Sequence, residues 1–131
     1  MLEYKLEMPP EQLPALTLAY IGDAVYELYV RTHLLEQSHK VHSLHRLVIN
    51  RVNNNTQSDL LAKVESELTE EEMAIVRRGR NAKGVQVPKN AHVQTYHRST
   101  GMEALTGYLY LKGNEERLMW LLGQIESVVK K

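Results

Sequence analysis

The chain has 131 residues, in which 16 lysines and arginines balance 16 acidic residues, and it contains no cysteine. This length suits one domain, the zero net charge argues against a generally basic nucleic-acid-binding protein, and the missing cysteines exclude disulfides and thiolate metal sites. No apolar run approaches the length that spans a bilayer, and the N-terminus is too polar for a signal peptide, so we expect a cytoplasmic protein without a membrane partner.

The charges are unevenly distributed along the chain. Residues 1–76 contain 12 acids and 6 bases, residues 77–98 contain six bases and no acid, and residues 99–131 contain four of each. One short segment, 77–98, therefore carries all of the compensating positive charge, and we call it the basic segment.

The first half of the chain has the apolar periodicity of helices. Between positions 13 and 35, apolar residues recur at three-, four- and seven-residue steps, which predicts one long helix. A second helix should begin near position 41, capped by Ser38 or Ser43. Its apolar stripe continues to position 64, but the three asparagines at 53–55 have poor helix propensity, and the pattern leaves open whether the helix breaks there.

A third helix is predicted to begin after Thr69. Thr69 and Glu72 have the spacing of a capping box, in which each side chain bonds to the other residue's backbone N–H. This helix should run to Arg78 and stop at Gly79, because glycine commonly ends helices. Residues 80–98 show no sustained apolar period, which indicates a loop.

Two more helices are predicted in the last third of the chain. Thr100 and Glu103 repeat the capping-box spacing and should open a helix that Gly113 closes. Asn114 can then cap the last helix. The chain is therefore predicted to form one all-α domain over residues 1–131, with a basic loop between its third and fourth main helices.

Two acids are candidates for metal-dependent chemistry. Asp23 follows Gly22 inside the first predicted helix, and it either faces solvent beside Glu27 or lies at a seam where glycine lets another helix approach closely. Glu103 either completes the capping box or turns its carboxylate toward a neighbouring helix. Together, Asp23 and Glu103 would make a sparse hard-oxygen site of the kind that Mg²⁺ or Ca²⁺ prefers.

The basic segment is a candidate for binding a polyanion. Cations without a neighbouring acid, interleaved with amide side chains, offer donors to phosphates and sugar hydroxyls. The alternative is a solvated loop that neutralises an acidic body. The candidate RNA-binding residues are Arg77, Arg78, Arg80, Asn81, Lys83, Lys89, His97 and Arg98.

Three histidines step by three along the second predicted helix, at positions 39, 42 and 45. Such spacing resembles a helical metal-binding pattern. The chain has no cysteine, and Glu36 is the only acid near these histidines. We therefore interpret the three histidines as a solvated or RNA-facing stripe.

Two stretches of the chain resemble the catalytic domain of the ribonuclease III family. Residues 19–28, which read A-Y-I-G-D-A-V-Y-E-L, resemble the core of the family signature, roughly E-F-L-G-D-A-V-L. Residues 102–111, M-E-A-L-T-G-Y-L-Y-L, resemble the family's helix D-T-F-E-A-L-I-G-A-L-Y-L. The two stretches occur in the family's order and separation, and the resemblance spans residues 13–123.

The departures from the family pattern indicate a subgroup. The glutamate four residues before the signature aspartate is Ala19 here, and the aspartate three residues before the second glutamate is Thr100. Asp23 and Glu103 are thus the two acids that remain of the usual four. With the run R-R-G-R-N-A-K at 77–83 and no double-stranded-RNA-binding domain, this reduced set resembles the Mini-III ribonucleases.

The resemblance implies a dimeric, helical, Mg²⁺-dependent endoribonuclease. Asp23 and Glu103 would be catalytic and would hold Mg²⁺, and Tyr20 matches a position whose aromatic ring contacts the partner subunit. The implied reaction cleaves double-stranded RNA, leaves 5′-phosphate and 3′-hydroxyl ends, and matures the large-subunit (23S) ribosomal RNA precursor, with a ribosomal protein as a further candidate partner. The alternative is a non-catalytic dimeric RNA-binding protein with the same fold.

Overall fold

The computed structural model describes residues 4–84 and 87–130, and this part of the chain is helical with no strand. Within these residues lie six α-helices: α1 (Ala15–Leu34), α2 (Val41–Ile49), α3 (Asn54–Val64), α4 (Glu70–Arg80), α5 (Val93–Lys112) and α6 (Glu115–Leu122). Short 3-10 turns lie at Pro10–Gln12, Glu65–Glu67 and Ile125–Val128. The prediction of an all-α fold is confirmed.

Helix α5 lies at the centre of the fold. α1, α3 and α4 all pack against it. Every residue of α5 from Ser99 to Leu109 is buried except Glu103. A helix that is covered on all sides in this way fixes the positions of the helices around it.

Two glycine pairs set how closely the neighbouring helices approach α5. A Cβ atom added to Gly22 of α1 would lie 1.8 Å from the carbonyl oxygen of Glu103, and one added to Gly107 would lie 1.9 Å from the carbonyl oxygen of Leu18. At the crossing of α4, a Cβ atom on Gly79 would lie 2.9 Å from the Cα atom of Gly101. The backbones therefore meet directly at both crossings.

The helix ends in the first half of the chain differ in part from those predicted. Neither Ser38 nor Ser43 caps α2, whose N-cap is Lys40 without a side-chain cap. The break that the pattern left open does occur, because the Asn53 side chain accepts a hydrogen bond of 2.8 Å from the Thr56 amide and begins α3. An asparagine that weakens a helix interior thus serves as an N-cap.

The ends of α4 and α5 include one confirmed capping box and two corrections. Thr69 and Glu72 form the predicted box. Gly79 does not end α4, which continues to Arg80, because this glycine serves the close crossing with α5. The loop predicted over 80–98 ends early, since α5 already begins at Val93.

Thr100 was wrongly predicted to cap a helix, because it lies inside α5. Its hydroxyl donates to the Tyr96 carbonyl oxygen at 3.1 Å, and the cap of α5 is His92. The later predictions are confirmed: Gly113 closes α5 with a φ of 77°, and the Asn114 side chain caps α6. None of the described helices is both long and apolar enough to cross a membrane.

Candidate active site

The crossing of α1 and α5 brings Asp23 and Glu103 together. Gly22 lies directly on the carbonyl oxygen of Glu103, so the next residue of α1, Asp23, is held beside this part of α5. The two carboxyl groups are joined by a side-chain hydrogen bond. Two acids that are distant in the sequence thus form one pair at the closest approach of two helices.

This pair is open to solvent on one side. The Asp23 side chain is exposed, whereas that of Glu103 is half-buried. Glu103 does not cap a helix, because it lies in the middle of α5. Glu27, the next acid on α1, forms an ion pair of 2.7 Å with Arg31. A substrate too large to enter a cavity can therefore reach the Asp23 carboxylate at the surface.

Burial and the neighbouring acid raise the proton affinity of Glu103. Burial, followed by the hydrogen bond and the negative charge of Asp23, raises the pKa of Glu103 to about 8. At neutral pH Glu103 is therefore protonated when no cation is bound. A perturbed carboxyl pair at the surface is typical of a functional site, because a bound cation can replace the proton.

The donor set of the pair fits a divalent cation that keeps part of its water shell. Mg²⁺ is commonly bound through one or two carboxylates, with waters and substrate phosphates as the other ligands. Over residues 4–84 and 87–130 there is no group of three or more histidine or acidic side chains that could hold a metal. His39, His42 and His45 therefore do not form such a group either. A cation at this site would therefore take its remaining ligands from water and substrate.

The two positions at which the sequence departs from the family's four acids contribute no charge here. Ala19 is 8% exposed and belongs to the core cluster. Thr100 is 6% exposed, and its hydroxyl is bonded within α5. The site therefore has the carboxylates of Asp23 and Glu103, and positions 19 and 100 add none.

Helix α3 adds polar groups that the sequence analysis did not identify. Gln57 is hydrogen-bonded to the Glu103 carboxyl group, and Asn54 accepts a hydrogen bond of 3.0 Å from the Ser99 hydroxyl. The signal was present in the sequence: with Asn53 as the cap, Gln57 falls on the same helix face as Leu60 and Val64. A glutamine on an otherwise apolar buried face marks a polar contact.

The predicted RNA-binding residues fall into two groups. Arg77, Asn81 and Lys83 are exposed, and together with Arg78 and the segment at 14–16 they line an open groove of about 530 Å³ at the C-terminal end of α4. Lys89 is also exposed, whereas Arg80 is half-buried. Arg77, Arg78 and Lys83 thus give this groove a cationic lining.

Arg78 also connects α4 to the segment before α1. Its guanidinium donates hydrogen bonds to the carbonyl oxygens of Glu11, at 2.9 Å, and Leu13, at 2.5 Å. Both acceptors are neutral, so these bonds fix the side chain without cancelling its charge. Arg78 therefore has a structural role in addition to the positive charge that it gives the groove.

His97 and Arg98 lie on α5 rather than in a loop, and both are half-buried. The Arg98 guanidinium donates to the Ser58 hydroxyl at 3.2 Å and lies 3.7 Å from the Glu65 carboxylate. The buried Nδ1 atom of His97 has no hydrogen-bond partner among the described residues. These two side chains are thus set apart from the groove beside α4.

The outer face of α1 exposes apolar side chains. Tyr20 is 79% exposed and Leu28 is 58% exposed. An adjacent apolar groove of about 370 Å³ is lined by Ile21, Val25 and Leu28 of α1 and by Met119 of α6. Contiguous apolar surface of this kind is characteristic of a protein contact.

Known proteins resemble this chain both in sequence and in fold. The sequence profile of the Ribonuclease III domain matches residues 16–114, which include both Asp23 and Glu103. A Mini-ribonuclease 3 of Symbiobacterium thermophilum is 51% identical over 123 residues, which cover 93% of this chain and 95% of the relative. The Mini-ribonuclease 3 of Staphylococcus aureus is 43% identical over 122 residues, which cover 91% of each chain.

A solved structure has the same arrangement of helices. A crystal structure of a Fusobacterium nucleatum protein superposes with a TM-score of 0.81 and 30% sequence identity. The superposition covers 88% of this chain and 93% of that chain. The likeness therefore extends over most of both chains.

Proposed function

Because the chain belongs to the ribonuclease III family, as its Mini-ribonuclease 3 relatives do, and is therefore an endoribonuclease, we propose that it hydrolyses double-stranded RNA with Mg²⁺ bound by Asp23 and Glu103. Enzymes of this family generally use a divalent metal and act on double-stranded RNA. The observation that supports the assignment of the site is the contact between the two carboxyl groups at the Gly22 crossing. The whole of residues 1–131 would be one catalytic domain.

The two carboxylates divide the work of the site. Glu103, half-buried and hydrogen-bonded, would give up its proton and form the fixed side of the cation site. Asp23 is exposed on α1, so it would hold the cation where a phosphate of the RNA backbone can approach from solvent. A bound Mg²⁺ would polarise the scissile phosphate and lower the pKa of its bound water, so that hydroxide is available at neutral pH. The products would carry 5′-phosphate and 3′-hydroxyl ends.

The basic groove would hold the duplex beside this site. An A-form RNA duplex is recognised mainly through phosphates and 2′-hydroxyls across its wide minor groove. The exposed side chains of Arg77, Asn81 and Lys83 would present charge and hydrogen-bond donors to such a backbone, and the exposed Lys89 would add a further contact. Arg78 adds charge from a fixed position. Arg80, His97 and Arg98 do not line this groove, and His97 and Arg98 would contact the duplex from α5.

A homodimer would place two such sites on one duplex. Tyr20 and the apolar groove along α1 form a face that a second copy of the chain would cover, with the Tyr20 ring as its projecting side chain. An isologous contact of this kind relates the two active sites by a two-fold axis, as a double cut across both strands requires. The natural substrate would be a stem of the large-subunit ribosomal RNA precursor in the cytoplasm, with a ribosomal protein as a candidate assisting partner.

The test compares two substitutions that each remove one negative charge from α1. Asp23→Asn should abolish Mg²⁺-dependent cleavage of a labelled duplex, because the cation loses one of its two carboxylates. Glu27→Gln, one turn away and paired only with Arg31, should cleave at nearly the normal rate. End-group analysis of the products and a single-stranded RNA of the same sequence complete the assay.

Two outcomes would contradict the proposal. Undiminished turnover in Asp23→Asn would remove this residue from the catalytic centre. A wild-type protein that binds the duplex but leaves it intact at every Mg²⁺ concentration would instead be a non-catalytic dimeric RNA-binding protein.

A further inference from the structure

Gln57 is a buried polar residue on the apolar face of α3. It is 2% exposed, and Leu60, Leu61 and Val64 on the neighbouring turns are at most 1% exposed. Taking an amide out of water costs free energy unless hydrogen bonds replace those to solvent. A glutamine that only filled space here would be less favourable than a leucine of similar volume.

The hydrogen-bond partner of Gln57 belongs to the active site. Its side-chain amide donates to the Glu103 carboxyl group, which also shares a hydrogen bond with Asp23. Gln57 therefore contacts one member of the Asp23–Glu103 pair directly.

The first turn of α3 is anchored well enough to fix this amide. The Thr56 backbone amide donates to the Asn53 side chain at 2.8 Å, and the Thr56 hydroxyl donates to the Asn50 carbonyl oxygen at 3.0 Å. From the opposite side, the Ser99 hydroxyl of α5 donates to the Asn54 side chain at 3.0 Å. The Gln57 side chain thus starts from a turn that is bonded both to the preceding segment and to α5.

We propose that Gln57 is a positioning residue of the endonuclease, whose amide orients the Glu103 carboxylate and so allows the Asp23–Glu103 pair to bind a divalent cation. This inference rests on the function proposed above. Residues that hydrogen-bond to metal-binding carboxylates fix their orientation, and their loss commonly weakens metal binding by about 10–100-fold. Without the amide, the Glu103 carboxylate is free to rotate.

The experiment follows metal binding and turnover separately in the full-length protein. Mg²⁺ is titrated against the thermal unfolding midpoint without RNA, and kcat and KM are measured on a labelled duplex. Gln57→Leu should need roughly 10-fold more Mg²⁺ for half-maximal stabilisation and should lower kcat with KM for the duplex unchanged. Because leucine is apolar and of similar size, the substitution should leave the metal-free protein folded.

Two further variants separate positioning from general stability. Thr56→Val removes a buried hydroxyl from the same turn and should lower the unfolding midpoint, but should leave the Mg²⁺ requirement unchanged. Gln57→Glu keeps the shape but replaces the donor with a carboxylate, and should destabilise the metal-free protein. Its stability should be restored by Mg²⁺ to a greater extent than that of the wild type.

The results that overturn the proposal are distinct from those that overturn the function. If Asp23→Asn abolishes stabilisation by Mg²⁺ but Gln57→Leu titrates as the wild type does, only the positioning role fails. If Asp23→Asn is stabilised by Mg²⁺ as strongly as the wild type, the assigned metal site fails, and the role of Gln57 fails with it.

Discussion

Glu103 is the only residue of α5 between Ser99 and Leu109 that is not buried. Its protonation makes the stability of the fold depend on pH. Its pKa is about 8 in the folded protein, against an ordinary value of 4.5, because of burial and the adjacent Asp23. Between these two pH values the folded state binds more protons than the unfolded state. The free energy of unfolding must therefore fall as the pH rises through this range.

We expect this fall in the metal-free protein, with a contribution from Glu103 of at most about 1.4 kcal/mol per pH unit. Urea unfolding in EDTA at pH 5, 6.5 and 8 measures it, and Mg²⁺ at pH 8 should restore stability. Because histidines titrate in the same range, the contribution of Glu103 is taken as the difference from Glu103→Gln. If the wild type and this variant lose stability in parallel, the pair does not hold the proton that its geometry predicts.

At the scale of helices, the active site depends on how closely α1 and α5 approach each other. A methyl group on Gly22 would lie 1.8 Å from the Glu103 carbonyl oxygen, and neither backbone can rotate away as a flexible side chain would. Gly22→Ala must therefore push α1 away from α5 and carry Asp23 with it. Overpacking of this kind typically costs about 1–3 kcal/mol, and a clash between backbones belongs at the upper end.

The matched variant is Gly79→Ala, at the crossing of α4 and α5. Its added Cβ would lie 2.9 Å from the Cβ atom of Ala104, so this substitution also destabilises, but it leaves the crossing of α1 and α5 intact. At a temperature where both variants are folded, Gly22→Ala should lose most of its cleavage rate, whereas Gly79→Ala should keep most of it. Equal rates in the two folded variants would show that the site does not require the Gly22 contact.

The same helices show what the sequence predicts and where prediction fails. The capping box at Thr69 and the end of α5 at Gly113 were predictable because cap chemistry is local to a few residues. The start of α5 at Val93 was missed because its first turns are polar and are capped by a histidine. These turns are held by contacts that no local pattern encodes, such as the hydrogen bond from Arg98 to Ser58.

The site was predictable only in part for a similar reason. Asp23 and Glu103 were identified as candidates because Gly22 and Asp23 are costly in a helix interior and because the two stretches resemble a known family. Gln57 was missed because its importance depends on which face of α3 meets α5, and the start of α3 was ambiguous in the sequence. Packing, rather than propensity, decides which polar residue of a helix joins a site.

At the scale of the whole molecule, the charge is separated along the chain and in space. The basic segment offsets a surplus of acids in residues 1–76, and three of its cations, Arg77, Arg78 and Lys83, line the groove beside α4. A neutral protein of this kind lacks long-range attraction to RNA, so its affinity must come from a few phosphate contacts at one surface. Each such contact releases counterions and so contributes to the dependence of binding on salt.

The groove beside α4 should therefore account for a measurable part of that salt dependence. In the double substitution Arg77→Ala with Lys83→Ala, the slope of log K against log salt for a duplex should fall by about one unit per lost phosphate contact. Arg78 is left unchanged, because its substitution would also release the segment before α1. Binding is measured in EDTA, so that cleavage does not interfere.

The control removes the same charge from another exposed helix, by Lys40→Ala with Arg46→Ala at α2. If the duplex lies in the groove, this second double variant should keep nearly the wild-type slope, because screened charges at a distance contribute little at physiological salt. An equal fall in both variants would mean that the net charge of the molecule, rather than the surface beside α4, attracts the RNA. A fall confined to the groove variant would place the duplex against the C-terminal end of α4.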